Sequence, residues 1–245
     1  MKIIIKEHQA LALEASKDVE DRISKSIEEK GKACMVLATG NSQLKFLDSL
    51  RKSTIDWSKV IIFHLDEYIG IPEDHPAGFV RYLREKIIHH IQPLQFHPII
   101  SNENEVEKTL GNYSKLLKAH TIDIACVGVG ENGHLAFNDP GVADFKDKQS
   151  IKVVELDHEC RMQQFNEGWF DSFGTVPKTA ITLTIPTIMN AKHISCFVPD
   201  LRKAIAVKNA IEGEINSSCP ASILRKHPSV NLYLDPPSAT LLSNH

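Results

Sequence analysis

The sequence predicts an α/β fold in which helices cover both faces of an open, mainly parallel β-sheet. Three observations support this prediction. Short apolar runs, typical of strands buried on both faces, recur along the 245 residues. Stretches with helical periodicity separate these runs, which is the pattern of successive βαβ units. Polar segments that contain glycine follow three of the apolar runs, where a parallel sheet carries its ligand site.

The first half of the chain begins with a short apolar strand and a long helix. Residues 8–30 combine helical periodicity with many good helix formers. The apolar runs at 33–37 and 60–64 are typical of interior strands. In chain order, we predict a strand at 2–5, a helix at 8–30, a strand at 33–37, a turn at 39–42, a helix that ends at 50, a strand at 60–64 and helices at 78–90 and 103–119.

The second half contains further short apolar runs, and we assign all of them to the same sheet. The predicted elements are strands at 123–127, 152–156, 180–184, 194–198 and 230–234, with a helix at 203–212 before the last strand. Together these elements predict a Rossmann-like sheet. The polar segments that begin at Thr39, Asp66 and Gly128 each come directly after a strand, so we expect them to meet at one edge of the sheet.

Composition indicates a single domain over residues 1–245. No flexible linker, repeat or low-complexity tract divides the chain, which is 42% hydrophobic. The formal net charge is −3, from 28 basic and 31 acidic residues. A charge so close to balance gives no bulk field that would attract nucleic acid or an anionic membrane, so we expect neither as a partner.

Targeting signals and metal-binding patterns are also missing from the sequence. The apolar run at the N-terminus is too short for a signal peptide or a membrane span. The five cysteines are odd in number and widely spaced, and three lie in apolar runs, so we interpret them as small core residues. The 12 histidines form no zincin-type pattern, and no Cys-x-x-Cys occurs. We therefore expect a cytoplasmic protein without a metal site.

The run Gly-Val-Gly-Glu-Asn-Gly-His-Leu-Ala-Phe-Asn-Asp-Pro at residues 128–140 is the most informative segment. Its glycines allow a sharp turn and a close approach of the backbone to a ligand. His134 follows this turn, and Asn132 and Asp139 are near enough in sequence to orient its imidazole. An oriented imidazole can exchange protons near neutral pH, so this segment predicts acid–base catalysis.

Two earlier segments predict an anion site and a general base. Thr39, Gly40, Asn41 and Ser42 join a strand to a helix, and the N–H groups at a helix start favour an anion. No Gly-Lys-Ser/Thr follows, so this is not a nucleotide P-loop. The acidic pair at residues 66–67 lies between apolar residues, and a carboxylate partly removed from water gains the proton affinity that a base requires.

These segments resemble the glucosamine-6-phosphate deaminase (isomerase) family, which is related to the 6-phosphogluconolactonases. The glycine-rich run at 128–140 is similar to the signature of both groups, whereas His-Leu-Asp-Glu-Tyr at 64–68 is closer to the deaminases. Leu-Ala-Thr-Gly-Asn-Ser at 37–42 is similar to the phosphate loop of the family. The similarity continues through Lys203 and Glu212 to His227, so it covers most of the chain.

The resemblance implies a reaction and a set of site residues. The reaction would convert glucosamine 6-phosphate and water to fructose 6-phosphate and ammonia, without a cofactor. Catalysis would depend on Asp66 as the base and on His134 for ring opening, with Asn132 and Asp139 beside it. The implied substrate-binding residues are Thr39, Gly40, Asn41, Ser42, Glu67, Gly130 and Lys203, of which Lys203 would pair with the phosphate.

Two positions depart from the family pattern. Asp139 stands where deaminases usually carry glutamate, so we expect its contact with His134 to be long, bridged by water or lost. Asn166 stands near the position of a phosphate-binding arginine, and the neighbouring Arg161 matches a different position. Three alternatives therefore stay open: a galactosamine-6-phosphate deaminase or isomerase, a 6-phosphogluconolactonase, and a non-catalytic sugar-phosphate-binding regulator. We favour a small homo-oligomer without allosteric control.

Overall fold

The structure is a computed structural model that describes residues 1–100, 102–166 and 168–243. The prediction of one domain over residues 1–245 also includes Ser101, Glu167, Asn244 and His245, which lie outside the described residues. The strands are β1 (Lys2–Ile5), β2 (Ala33–Leu37), β3 (Val60–His64), β4 (Asp66–Tyr68), β5 (Gln95–His97), β6 (Ile124–Val127), β7 (Ile151–Glu155), β8 (Thr179–Leu183), β9 (His193–Val198) and β10 (Val230–Leu234).

The main sheet is parallel, as the sequence predicts. Within the described residues it has seven strands in the order β1-β10-β9-β6-β2-β3-β5. Each pair of neighbours in this order runs parallel. Interior strands such as β2 and β9 are buried along their whole length. Burial on both faces explains why these strands are continuous apolar runs in the sequence.

Helices cover both faces of the main sheet. They are α1 (His8–Lys30), α2 (Leu44–Leu50), α3 (Phe79–Leu83), α4 (His89–Ile91), α5 (Val106–Ala119), α6 (His158–Asn166), α7 (Ile185–Met189), α8 (Ala204–Glu212) and α9 (Pro236–Ala239). A π-helical stretch, Arg84–Ile88, joins α3 to α4. The predicted helix at 103–119 starts later, at Val106. No helix in the described part of the chain is long and apolar enough to cross a membrane.

The core consists of apolar clusters on the two faces of the sheet. Alternate residues of β2 belong to different clusters, because successive side chains of a strand point to opposite faces. Met35 packs with residues of α1 and α2, whereas Val36 packs with residues of α5 and α8. A third cluster, centred on Tyr68 and Phe137, lies beside the second sheet.

One prediction of sheet membership is wrong. The strands predicted at 152–156 and 180–184 exist as β7 and β8, but they do not join the main sheet. They form a separate antiparallel sheet in the order β4-β8-β7. The physical reason is visible in β7, where Val153 and Glu155 on one face are exposed, whereas Val154 on the other face is buried. Such a strand has one face in solvent, which antiparallel sheets tolerate and buried parallel sheets do not.

Candidate active site

A solvent-open cleft of about 920 Å³ lies where the carboxyl ends of β2, β3, β6 and β9 meet. The three polar segments predicted to meet at one edge of the sheet all contribute to its lining. The predicted site residues in the lining are Thr39, Gly40, Asn41, Ser42, Asp66, Gly130, His134 and Lys203. Parallel strands thus bring together residues that are more than 150 positions apart in the sequence, from Thr39 to Lys203.

The loop at residues 39–42 turns from β2 into a short 3-10 helix, Asn41–Gln43. Gly40 has a φ of +103°, a conformation that favours glycine. The carbonyl oxygen of Gly40 accepts a hydrogen bond of 2.8 Å from the Tyr82 hydroxyl, which fixes the loop against the π-containing helix. Thr39, Gly40, Asn41 and Ser42 all line the cleft, so a strand-to-helix turn with two hydroxyl side chains adjoins it, an arrangement suited to an anion.

Asp66 is buried at the base of the cleft, with 6% of its surface exposed. Burial raises the pKa of its carboxyl well above the usual range, and the nearby carboxyls of Glu67 and Asp139 add to this effect. Among the described residues, no hydrogen-bond donor reaches the Asp66 carboxylate to offset the shift. A carboxylate with a high proton affinity in a ligand cleft has the property that a general base requires.

Glu67 has a different position from the one expected of a substrate-binding residue. Its carboxylate accepts hydrogen bonds from the backbone N–H groups of Tyr68 (2.9 Å), Phe79 (3.2 Å) and Val80 (2.7 Å). Burial raises the pKa of Glu67 to about 7, although these N–H groups oppose the shift. Glu67 therefore holds the start of α3 against β4 and lies outside the cleft lining.

His134 and Asp139 are in direct contact. His134 Nδ1 lies 2.9 Å from Asp139 Oδ1, so the expectation of a long, water-bridged or missing contact is wrong. The Asn138 N–H bonds to the Leu135 carbonyl (3.1 Å), and Ala136 has a φ of +52°. This tight turn brings Asp139 back to the imidazole, so that the shorter carboxylate reaches it.

Asn132 holds both members of this pair. Its Nδ2 donates to Asp139 Oδ1 (2.8 Å), and its Oδ1 accepts the backbone N–H of His134 (3.0 Å). Burial acts to raise the pKa of Asp139, but the hydrogen bonds from His134 and Asn132 outweigh it and hold the pKa below its usual value. The pair is therefore an ionised carboxylate that orients an imidazole. Asn132 and Asp139 lie behind His134, outside the cleft lining.

Gly130 leaves the space that the His134 ring occupies. A Cβ atom at Gly130 would lie 2.1 Å from His134 Cε1 and 2.2 Å from Nε2, far inside van der Waals contact. The Gly130 N–H also donates to the His134 carbonyl oxygen at 3.0 Å. Any larger residue at this position would have to move the imidazole.

Lys203 and Arg202 are the basic residues of the cleft lining within the described residues. The Lys203 side chain is only 8% exposed and lies at the end of the 3-10 helix Leu201–Lys203, directly after β9. Sequence reasoning singled out Lys203 but missed Arg202. The sequence signal for Arg202 was its position next to Lys203 in the strand-to-helix turn after β9. Both basic residues line the cleft at this edge of the sheet.

Sequence reasoning also missed the wall that α6 and the following loop form. Gln163, Gln164 and Trp169 line the cleft from this side. Asn166, at the end of α6, is not in the lining. The Arg161 guanidinium donates to the carbonyl oxygens of Phe173 (3.1 Å) and Val176 (2.9 Å), so it is committed to the wall and not to the cleft. Residues 158–166 have no apolar stripe that would have revealed α6.

Metal ligands are not clustered in the part of the chain that the structure describes. No group of three or more His, Cys, Asp or Glu side chains there is placed to hold a metal ion. The five cysteines are buried and free. The polar side chains of the cleft lining include carboxyl, imidazole, amide and basic groups.

Comparison with known proteins identifies the family. The family model described as glucosamine-6-phosphate isomerases/6-phosphogluconolactonase matches residues 6–233. A protein of Bacillus cytotoxicus named glucosamine-6-phosphate deaminase is 33% identical over 99% of this chain and 90% of its own length. The solved structure of a monomeric glucosamine-6-phosphate deaminase superposes with a TM-score of 0.90 at 29% identity, over 98% of this chain and all of that one.

The lactonase branch shares the fold at a lower level of similarity. The 6-phosphogluconolactonase of Trypanosoma brucei superposes with a TM-score of 0.80 at 18% identity, over 99% of this chain and 98% of that one. An identity this low supports the fold and no more. From the family match and the deaminase of Bacillus cytotoxicus together, the chain belongs to the glucosamine-6-phosphate isomerase/6-phosphogluconolactonase family.

Proposed function

We propose that this protein is a deaminase that converts glucosamine 6-phosphate and water to fructose 6-phosphate and ammonia. The observation that carries the proposal is the pairing of two groups in one cleft. Asp66 is a buried carboxyl of raised pKa, and His134 is an imidazole oriented by a carboxylate. A base and a separate acid–base group are what an aldose-to-ketose isomerisation requires.

His134 acts first, on the sugar ring. The Asp139 carboxylate accepts a hydrogen bond from the Nδ1–H group of His134, which leaves Nε2 to exchange a proton with substrate. In the cleft, Nε2 takes the proton of the anomeric hydroxyl and returns it to the ring oxygen as the C1–O5 bond breaks. The product of this step is the open-chain amino aldehyde.

Asp66 then moves a proton between adjacent carbons. Its carboxylate removes the C2 proton of the open-chain sugar to form an enolamine, and the resulting carboxylic acid returns the proton to C1. The proton that the C1 oxygen gains is the one that the amino group gives up as the C2 imine forms. The C2 imine that results adds water and loses ammonia to give the ketone of fructose 6-phosphate. The raised pKa of Asp66 favours this sequence, because the same group must be a base and afterwards an acid.

The phosphate is bound at the other end of the cleft. Residues 39–42, with the side chains of Thr39 and Ser42, and Lys203 all line the cleft and are the groups that would bind the phosphate. A nearly buried ammonium gains a strong charge-assisted hydrogen bond to a phosphate oxygen. This contact holds the substrate at a fixed distance from Asp66 and His134. The steps are ring opening, proton transfer, addition of water and loss of ammonia, none of which requires a cofactor.

Ammonia release from glucosamine 6-phosphate tests the proposal directly. Galactosamine 6-phosphate and 6-phosphogluconolactone serve as competing substrates in the same assay series. We expect ammonia and fructose 6-phosphate in equal amounts from glucosamine 6-phosphate. Preference for the galactosamine epimer, or hydrolysis of the lactone without deamination, would replace the proposal with one of these reactions. Binding without turnover of any of them would indicate a regulator.

The variant Asp66→Asn tests the assigned base. Asparagine is nearly isosteric but cannot accept the C2 proton, so turnover should fall by roughly 10²–10⁴-fold. Asp74→Asn is a matched control, since Asp74 is exposed and lies outside the cleft lining. Near-normal ammonia release by Asp66→Asn would exclude Asp66 as the base.

A further inference from the structure

Four charged side chains meet at the mouth of the cleft: Glu131, Asp200, Arg202 and Lys203. Glu131 Oε1 lies 3.7 Å from Arg202 Nη1 and 4.0 Å from Lys203 Nζ. One carboxylate oxygen therefore faces two cations. The Lys203 side chain is 8% exposed, whereas those of Glu131 and Arg202 are 40% and 56% exposed. The ammonium is thus fixed in the wall, and the carboxylate has room to move.

Asp200 fixes the direction of Arg202. The Asp200 carboxylate accepts hydrogen bonds from the Arg202 backbone N–H (2.9 Å), Nε (3.1 Å) and Nη2 (2.8 Å). The N–H of Asp200 in turn donates to the buried Asp235 carboxylate (3.0 Å). Asp200 has a φ of +95°, which is costly for a residue other than glycine. Such strain persists only where the surroundings impose it, and here the contacts that impose it also orient the guanidinium.

We propose that Arg202 is a second cation for the phosphate of the substrate and that Glu131 is an internal counter-anion which the phosphate replaces. This inference rests on the proposed function, because it names the residues that read the phosphate of that substrate. A carboxylate oxygen between a guanidinium and an ammonium occupies the kind of place that a phosphate oxygen prefers. Glu131 therefore marks the position that we assign to the phosphate.

The charges favour replacement of Glu131 by the phosphate over contact of both anions with Arg202 and Lys203 at the same time. The four side chains carry two positive and two negative charges, so their formal charges sum to zero. A phosphate near neutral pH adds a charge of roughly −1.5 to −2. If Glu131 stayed within 4 Å of both cations, it would repel the phosphate at close range. Movement of the half-exposed Glu131 into solvent removes this repulsion and allows Arg202 and Lys203 to contact the phosphate.

Arg202 can take the place of the phosphate-binding arginine that the family pattern has near the position of Asn166. Asn166 carries no charge and lies outside the lining, and the Arg161 guanidinium is bonded to carbonyl oxygens of the wall. Among the described residues, Arg202 is the only arginine that lines the cleft. The planar guanidinium can bind two phosphate oxygens in a fixed bidentate geometry, whereas the ammonium of Lys203 acts as a point charge.

The test measures binding of inorganic phosphate and of fructose 6-phosphate by calorimetry at low ionic strength. Arg202→Ala should weaken the affinity for both ligands about five-fold, since a solvent-exposed ion pair contributes up to about that factor. Glu131→Gln should strengthen the affinity for both by roughly three-fold, because the competing anion is gone. In the Arg202→Ala background, the gain from Glu131→Gln should be smaller, since one of the contested cations is absent.

Two matched controls remove the same charges elsewhere. Lys208→Ala removes a positive charge from α8, and Glu155→Gln removes a negative charge from β7; both residues are exposed and outside the cleft lining. An equal effect of Arg202→Ala and Lys208→Ala would overturn the role of Arg202. Weaker binding by Glu131→Gln, or no difference from Glu155→Gln, would overturn the role of Glu131. Melting temperatures confirm that each variant is folded.

Binding of inorganic phosphate separates this inference from the proposed reaction. If the wild-type protein released no ammonia from glucosamine 6-phosphate, the deaminase proposal would fail. The opposite effects of Arg202→Ala and Glu131→Gln on phosphate affinity would still be measurable. Conversely, the wild-type protein could be an active deaminase while neither Arg202→Ala nor Glu131→Gln changes its phosphate affinity. That result would support the proposed reaction and overturn the assigned roles of Arg202 and Glu131.

Discussion

His134 Nδ1 lies 2.9 Å from Asp139 Oδ1, although the two residues are only five positions apart in the chain. The intervening turn, with Ala136 at a φ of +52°, folds the carboxylate back under the imidazole. Asn132 donates to the same carboxylate oxygen at 2.8 Å, so the carboxylate is held from two sides. A buried, ionised carboxylate in this position selects the tautomer with the proton on Nδ1 and directs Nε2 to the cleft.

This relationship predicts the effect of Asp139→Asn. The asparagine side chain keeps the shape but cannot stabilise a protonated imidazole, and its amide can favour the wrong tautomer. We expect turnover of the cyclic substrate to fall by roughly 10²–10³-fold, within the range for loss of acid–base catalysis. Binding of an open-chain phosphorylated amino alcohol should change little, because this ligand needs no ring opening. Equal losses in turnover and in binding of the analogue would mean that the pair only supports the loop.

Gly130→Ala should displace the His134 imidazole while leaving His134 and Asp139 themselves unchanged. The added Cβ would lie 2.1 Å from His134 Cε1, so the ring must leave its position. We expect a fall in kcat of at least about ten-fold, since small displacements of a catalytic group carry large costs. The affinity for inorganic phosphate should be kept, because the phosphate end of the cleft is formed by other residues.

Gly111→Ala is the control for this substitution. Gly111 lies inside α5, and nothing lies within 4 Å of an added Cβ there. Alanine should therefore stabilise the helix by roughly 0.5–1 kcal/mol and leave kcat unchanged. If Gly130→Ala also kept its kcat, the placement of the His134 ring against Gly130 would not matter for catalysis.

The sequence predicted the main sheet well because its interior strands are buried on both faces. Ala33–Leu37, Val60–His64 and Val230–Leu234 have the predicted bounds. It predicted β7 and β8 as strands but not their partners, since strand propensity does not specify which strand pairs with which. Three-residue β4 was not predicted, because its polar sequence, Asp-Glu-Tyr, lacks any strand pattern.

In the cleft, too, some residues could be placed from the sequence and others could not. The polar segments after β2, β3 and β6 could be placed at one edge of the sheet, because that placement follows from parallel topology. The contact of Asp139 with His134 could not, because it depends on a turn with a positive φ at a non-glycine residue, Ala136. Trp169 and Gln163 were missed because the helix that positions this wall has no apolar stripe. The place of Arg202 in the cleft lining could not be predicted, because it depends on the orientation that Asp200 imposes on the guanidinium.

The raised pKa of Asp66 predicts the acidic limb of the pH profile. The base must be ionised, so activity is present above its pKa and is lost as the pH falls through it. Burial raises this pKa well above 3.8, and the neighbouring carboxyls of Glu67 and Asp139 add to the effect. The limb of kcat/KM should therefore lie clearly above pH 4. Half-maximal activity at or below pH 4 would contradict the assignment.

Glu67→Gln identifies which group produces this limb. Removal of the Glu67 carboxyl removes one cause of the raised pKa of Asp66, so the limb should move to lower pH. A limb that belonged to the substrate phosphate, which titrates near pH 6, would not move. Glutamine cannot accept all the N–H groups of Tyr68, Phe79 and Val80, so the profile must be measured below the lowered melting temperature of this variant.

Lys203→Ala tests the phosphate end of the cleft. The Lys203 side chain is 8% exposed, so its ammonium can make a well-shielded contact with the phosphate. A charge-assisted hydrogen bond of about 1.5–3 kcal/mol implies that kcat/KM for glucosamine 6-phosphate falls by roughly one to two orders of magnitude. The loss should be much smaller for unphosphorylated glucosamine, which lacks the group that Lys203 contacts, and Lys208→Ala should affect neither sugar. A matching loss on both sugars would show that Lys203 supports the loop after β9, and a substrate other than a hexosamine phosphate would then be favoured.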